Sequence, residues 1–379
     1  MHTNNKTHVN TINKNLDINK PLNITKDLDV NLKEIIDELY GKNNLSSESL
    51  LYLLNNIDVE SKKYLVSKAH ETRLNHYGNK VYMRGLIEFT NYCKNNCLYC
   101  GIRGGNANAT RYRLSLEEIL DCCNSGYTLG YRTFVLQGGE DPYYNDEKLV
   151  QIIKAIKTNY KDCAVTLSVG EKSYDSYKRY YDAGADRYLL RHETASKELY
   201  KKIHVGMELE TRIQCLKNLK DIGYQVGAGF MVGIPGQKNE DFVADLLFLK
   251  ELQPHMVGLG PFIPHKDTIF KNKPSGTVET TTTLLSIVRL LLPEVLLPAT
   301  TALGTISPMG REQGLKAGAN VVMPNLSPTT ARAKYMLYDN KICTGDEAAE
   351  CRNCIENRII NAGFSLDLSR GDNTLWKRK

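Results

Sequence analysis

Cys93, Cys97 and Cys100 fall within eight positions at C-x3-C-x2-C spacing, in the run Asn91-Tyr92-Cys93-Lys94-Asn95-Asn96-Cys97-Leu98-Tyr99-Cys100-Gly101. Thiolates are the usual protein ligands of iron-sulfur clusters, and three on one loop can converge on one face of a [4Fe-4S] cube. Three ligands leave the fourth iron without a protein donor. An open iron can bind a small molecule, so the spacing points to catalysis more than to a closed structural site. Zinc would need a fourth ligand and usually takes C-x2-C pairs, a separation that only Cys97 and Cys100 have here. Inert core cysteines are common, but the Asn, Lys and Tyr residues around this trio do not read as core.

Length and composition bound what carries the loop. The chain has 379 residues, 41% hydrophobic and 24% charged, with ten cysteines and a net charge of +6. That is enough for one large domain or two ordinary ones. No apolar run is long enough to span a bilayer and no signal-peptide core is visible, so the expectation is a cytoplasmic protein with no membrane contact. Ten cysteines in that compartment indicate metal or redox chemistry, not a disulfide framework. Charge is spread along the chain, which gives no reason to expect nucleic acid; Lys377, Arg378 and Lys379 read as a solvated tail.

Residues 1–30 are rich in Asn, Lys and Thr without an apolar period and read as a disordered lead-in. Residues 31–80 read as N-terminal helices packed against one end of the main domain, with Leu32, Ile35, Ile36 and Leu39, then Leu50, Leu51, Leu53 and Leu54, at helical spacing. From 81 to 325, strand-like segments (81–89, 132–138, 163–169, 186–192, 224–232, 256–263, 296–301 and 320–323) alternate with helical ones such as 116–129, 146–158 and 210–222. Eight β-then-α units over roughly 250 residues predict an α/β fold, a complete (β/α)8 TIM-type barrel. A doubly wound open sheet is the alternative, weakened because the Cys loop and no G-x-G-x-x-G follows the first strand. Residues 326–379 form a C-terminal, cysteine-containing extension.

In such barrels chemistry sits on the loops after the carboxyl ends of the strands. After the second strand comes Gln137-Gly138-Gly139-Glu140-Asp141. Its glycines let backbone approach a ligand and its carboxylate can accept from an ammonium group, although such a turn is more often only a turn. In the fourth strand Leu189, Arg191 and Glu193 share a face. Facing inward, the Arg and Glu need each other or a charged ligand, a structural salt bridge being the alternative. Arg212, early in the next helix, adds another cation. The glycine run 227–236 around Met231 suits close approach of a ligand such as an adenosyl group. Thr300 and Thr301 can bind an anion or merely cap a turn, and His265 reads as a surface-loop histidine. Cys343-x7-Cys351-x2-Cys354 forms a second trio that points to a cluster or metal. Cys122, Cys123, Cys163 and Cys215 read as structural.

The Cys loop, with an aromatic before its last cysteine, resembles the signature of the radical S-adenosylmethionine (radical SAM) superfamily. With it, the segments 135–144, 188–195, 258–265 and 298–302 and the C-terminal trio resemble the HydE family of [FeFe]-hydrogenase maturases, over residues 30 to 360. The resemblance implies a complete barrel with a [4Fe-4S] cluster on Cys93, Cys97 and Cys100. It implies S-adenosyl-L-methionine contacted by Gly138, Gly139, Glu140, Glu193 and Arg212, with Tyr99, Ser168 and Met231 near the adenosyl part. Arg84, Arg191, Thr300 and Thr301 would form an anion-binding floor for a small organometallic substrate, an iron-carbonyl-cyanide cysteine complex. Cys343, Cys351 and Cys354 would hold a second iron-sulfur cluster, [2Fe-2S] or [4Fe-4S], not needed for turnover. Implied partners are other hydrogenase maturases and an electron donor, reduced ferredoxin or flavodoxin. Biotin synthase is similar in fold but keeps cysteines inside its barrel, and none stands at the ends of the fourth and fifth strands here. Methylornithine synthase stays open on the barrel alone; the C-terminal trio favours the maturase. An iron-sulfur carrier, the non-enzymatic alternative, would not depend on Glu140 or Glu193.

Overall fold

Helices and strands alternate along the chain because its apolar pattern alternates. Runs such as Thr133-Phe134-Val135-Leu136 are buried throughout, as expected of strands covered on both faces. The helices between them bury one stripe, for example Leu149, Ile152, Ile153 and Ile156 of Asp146–Asn159. A computed structural model describes residues 31–345 and 347–379, so the lead-in expected over 1–30 lies outside the described residues.

The strands are β1 (Lys80–Met83), β2 (Gly85–Thr90), β3 (Thr133–Gly138), β4 (Ala164–Ser168), β5 (Arg187–Leu189), β6 (Gln225–Ala228), β7 (Met231–Val232), β8 (Met256–Val257), β9 (Gly260–Pro261), β10 (Val321–Val322) and β11 (Ser365–Asp367). Six of them form one parallel sheet in the order β2-β3-β4-β5-β6-β8. Its register sets Gly85 beside Phe134, Phe134 beside Val165 and Leu189 beside Gly227. A second sheet runs β10-β1-β11, and β7 pairs with β9. Single parallel bridges join Met256 to Leu296, Pro298 to Val321 and Leu86 to Asn325.

Several expected strands are shorter than their apolar runs. The segment 81–89 breaks at Arg84, 224–232 and 256–263 each split in two, and 296–301 contributes only bridges. The fourth is regular only to Leu189, and its pairing resumes as a single parallel bridge between Glu193, at a positive φ of 66°, and Phe230.

The N-terminal helices Leu32–Lys42, Ser47–Asn56 and Val59–Tyr77 are each capped by a polar side chain: Asn31, Ser46 and Asp58. Val59–Tyr77 packs along Val278–Leu291, so these helices lean on a late helix of the domain. Buried Arg73 fastens them by donating to Ala319 O, Gly78 O and Lys80 O.

The C-terminal end departs most from expectation. After helix Ala348–Asn361, β11 pairs in parallel with β1, and residues 370–379 then lie across the starts of the sheet strands. Arg187, the first residue of β5, donates to Asp372 at 2.5 Å and to Arg370 O at 2.6 Å. Gln225, the first of β6, accepts from Asn373 N at 3.1 Å, and Trp376 Nε1 donates to Gly223 O at 2.9 Å. Arg378 reaches Asp186 at 3.1 Å, so the basic end is docked and not a solvated tail. The cause is the row of buried polar groups at the strand starts, which needs partners.

Burial alone would push the Asp372 carboxyl up, but Arg187 and Arg370 outweigh it and hold the pKa down to about 2. An unfolded Asp titrates near ~3.9. The stabilisation is therefore complete above that value and lost as pH falls toward the folded pKa. Thermal unfolding followed from about pH 5 to about pH 2 should fall more steeply for the native chain than for Asp372→Asn. Parallel curves would show that the docked ion pair contributes nothing.

Candidate active site

The Cys loop leaves the end of β2 and is held at many points. Arg111 lies across it and donates to Asn91 O, Ile102 O, Arg103 O and Asn106 O. Asn91 Nδ2 donates to Thr110 O and to Lys334 O, each at 2.8 Å. Leu98 N donates to Ile203 O and Gly101 N to Leu337 O, both at 2.9 Å. On the other side stands the Gly138-Gly139-Glu140 turn. A Cβ on Gly139 would lie 2.2 Å from Tyr92 O and 2.7 Å from Cys93 Cβ, so only glycine permits this approach. Asp141 accepts from Thr90 Oγ1 at 2.7 Å and from both Nε and Nη2 of Arg113, at 2.7 and 3.0 Å.

Burial and the neighbouring thiols push Cys97 up to about 12, and Cys93 and Cys100 are also raised, burial first in each case. Burial thus outweighs the nearby Arg111 and Arg212 cations at these sulfurs, and bound iron would supply the further positive charge that thiolates need. Among the described residues no three His, Cys, Asp or Glu gather closely enough to chelate one ion. A cubane does not require that, since each thiolate takes its own iron. The donor set fits a [4Fe-4S] cluster with one iron free of protein.

Glu140 is buried; its Oε1 accepts from Glu171 N at 3.0 Å and its Oε2 lies 3.4 Å from Lys94 Nζ. Glu193 Oε2 is 3.0 Å from Arg191 Nη2. Arg212 is pinned by Glu171 Oε1 at 2.6 Å and Arg191 O at 2.5 Å. Fully buried His192 supports this turn: Nδ1 accepts from Gly229 N at 3.3 Å, so Nε2 carries the hydrogen and donates to Asp245 Oδ1 at 3.2 Å. Burial, with Arg191 and Arg212 nearby, pushes its pKa well down and keeps it neutral. Tyr99 and Met231 come together in one apolar cluster with Leu199, Ile203 and Ile234. The Tyr99 hydroxyl meets His204 Nε2 at 3.2 Å. Ser168 ends β4 in register with Gln137.

A cavity of about 180 Å³ lies among the strand ends, faced by Glu88, Arg191, Thr300, Thr301, Arg311 and Lys341. Arg84 does not face it. Its guanidinium donates to Met256 Sδ at 2.8 Å and Gly371 O at 3.2 Å, toward the strand starts. Thr300 caps helix Thr301–Ile306, while Thr301 Oγ1 accepts from Arg311 at 3.3 Å. His265 is buried at 5% exposure and packs on Gly101, unlike the surface histidine expected. Cys343 and buried Cys351 hydrogen-bond each other and line the cavity wall; Cys354 is exposed. Cys122, Cys123, Cys163 and Cys215 are buried and free.

These features have counterparts in known proteins. The Radical SAM superfamily model matches residues 87–249. The [FeFe] hydrogenase maturase subunit HydE of Thermotoga maritima is 45% identical over 327 residues, 86% of this chain and 93% of that protein. The chain belongs to the HydE family. The 3-methylornithine synthase of Methanosarcina acetivorans is 31% identical over 77% of this chain and 83% of its own length. Among solved structures, methylornithine synthase superposes with a TM-score of 0.77 at 27% identity, covering 88% of this chain and 97% of that one. HydG, a maturase of the [FeFe]-hydrogenase, reaches 0.76 at 20% identity over 89% and 76%, a likeness of fold alone.

In this HydE-family chain the sequence reading missed Glu88, Arg111, Glu171, Asp245, Arg311 and Lys341. Only Glu88 carried a usable signal, two residues from Leu86 on an apolar strand. Gly139→Ala is expected to dislodge the Cys93 segment. Reconstituted protein should then hold less iron and sulfide while its far-ultraviolet circular dichroism is unchanged; full iron loading would refute the tight fit.

Proposed function

We propose that the chain reductively cleaves S-adenosylmethionine to a 5'-deoxyadenosyl radical and processes an iron-carbonyl-cyanide cysteine precursor during assembly of the [FeFe]-hydrogenase active site. Its kinship to HydE makes it a radical SAM enzyme and a hydrogenase maturase. The observation that carries the finer reading is the meeting of three parts at the strand ends: the three-thiol loop, the Gly-Gly-Glu turn and a largely apolar cavity that carries a few charged side chains. Cys93, Cys97 and Cys100 would hold a [4Fe-4S] cluster, which would supply the electron for breaking the sulfonium bond.

The chain's own residues do the rest. Gly138 and Gly139 let backbone approach the methionine end, and Glu140 accepts from its ammonium group. Glu193 and Arg212 are charged partners for the ribose and carboxylate, and Tyr99, Met231 and Ser168 flank the adenosyl part. Arg191, Thr300 and Thr301 anchor an anionic substrate in the cavity; Arg84, turned toward Gly371 O at the strand starts, drops out of the expected anion floor. We take the parallel sheet as a closed eight-stranded barrel over 81–325, flanked by helices 31–80 and the extension 326–379. The single bridges between β8 and β2 support closure. Cys343 and Cys351, with Cys354 one helical turn beyond Cys351, are assigned to a second cluster that turnover does not need. Other maturases and reduced ferredoxin or flavodoxin are the proposed partners. Among the described residues no helix is long and apolar enough to cross a membrane. All ten cysteines are free, which favours a reducing, cytoplasmic setting.

Methylornithine synthase is the second reading, favoured by its structural overlap across 97% of that chain. Reduced, anaerobically reconstituted protein should convert S-adenosylmethionine to 5'-deoxyadenosine and methionine; no product would sink the enzyme reading. Deleting the gene should abolish [FeFe]-hydrogenase activity, and survival of that activity would favour the synthase. Replacing Cys343, Cys351 and Cys354 by Ser should erase a second set of cluster signals yet leave hydrogenase activation intact, whereas lost activation would make the site essential.

A further inference from the structure

The cavity contains a buried ion pair that the radical chemistry leaves unused. Glu88 faces inward beside Leu86 on β2 and both of its oxygens are taken. Oε1 accepts from Lys341 Nζ at 2.6 Å and Oε2 from Asn325 Nδ2 at 2.7 Å. The two side chains are 1% and 7% exposed. Lys341 gives a second hydrogen to Tyr335 O at 3.0 Å. An ammonium has three, so one remains on a residue that lines the cavity.

The backbone that delivers this lysine is unusual. Asn340 and Cys343 have φ of 57° and 61°, a left-handed conformation that non-glycine residues hold only when their surroundings impose it. Here Leu337 O accepts from Gly101 N at 2.9 Å and Asp339 N donates to Pro264 O at 3.0 Å, which fastens the segment to the Cys loop. A buried Lys–Glu pair loses in desolvation much of what it gains in attraction, and apolar side chains of equal volume serve stability as well. Stability therefore does not account for the pair. The lining side chains include three cations, Arg191, Arg311 and Lys341; Glu193 pairs with the first and Glu88 with the last, so one positive charge remains in excess, a balance that attracts an anion.

We propose that Lys341 is a substrate-positioning residue, whose ammonium is fixed by Glu88 and Tyr335 so that its third N–H meets an anionic group of the small substrate in the cavity. The inference rests on the reading of that cavity as the substrate site. Lys341 lies outside residues 87–249, the segment that matches the superfamily model, while Glu88, which holds it, lies inside.

Lys341→Met alone would leave Glu88 as an uncompensated buried charge, so the informative protein is E88Q/K341M, which removes both charges and keeps both lengths. Binding of a synthetic iron-carbonyl-cyanide cysteine complex is read from its CO and CN infrared bands in the protein fraction, alongside thermal unfolding. E88Q/K341M should unfold near the native temperature yet bind the complex about 10- to 100-fold more weakly, the loss of one hydrogen bond to a charged group. Lys341→Arg is the second variant: it keeps the countercharge for Glu88 but moves the donors, and it should also bind measurably more weakly. Native affinity in either variant would reduce Lys341 to a countercharge and overturn the proposal. Failure of the native protein to bind the complex would overturn the functional reading, and the inference with it.

Discussion

A single carboxylate fixes the upper face of the molecule. Asp141 is 3% exposed and accepts from Thr90 at the end of β2, from Arg113 after the Cys loop and from Tyr143 N in its own turn. It therefore joins the entry and exit of the Cys loop to the turn opposite. Burial would push its carboxyl up, but Arg113 and the Thr90 hydroxyl prevail and keep it ionised. Losing one partner of such a buried pair costs about 3–5 kcal/mol, with Arg113 near the lower end because it keeps one side in water. The loop that carries the three cysteines is thus tied at both ends to the sheet and to the turn beside it.

The chemistry was legible in the sequence where it depended on covalent spacing. Cys93, Cys97 and Cys100 lie on one loop, and Gly138-Gly139-Glu140 directly follows a strand. Strand alternation correctly set Arg191 and Glu193 together, now seen as a pair 3.0 Å apart. What failed needed the third dimension. Nothing local showed that the first strand would break at Arg84 and turn that guanidinium toward Gly371. Lys341 finds Glu88 across 253 positions, and no local period predicts such a pairing. His265 looked like a loop histidine because the glycine it packs on, Gly101, is remote in sequence.

The turn at Glu193 shows how strain is supported. Its positive φ is uncommon outside glycine. It is held from below by neutral His192, which links Gly229 on one side to Asp245 on the other. Asp245 also accepts from Ala195 N, so both flanks of the turn are fixed by groups that never reach the cavity. The strained acidic residue is thus held from outside the site, by His192 and Asp245.

The docked segment 370–379 also constrains how the protein is made. Arg187 is completed by Asp372, which follows 185 residues later, and Gln225 by Asp372 and Asn373. At usual ribosomal rates of about 5–20 residues per second, Arg187 waits roughly 10 to 40 seconds for its partner. During that interval the strand starts lack this cover. The contacts that cover the strand starts therefore form only after residues 370–379 have been made.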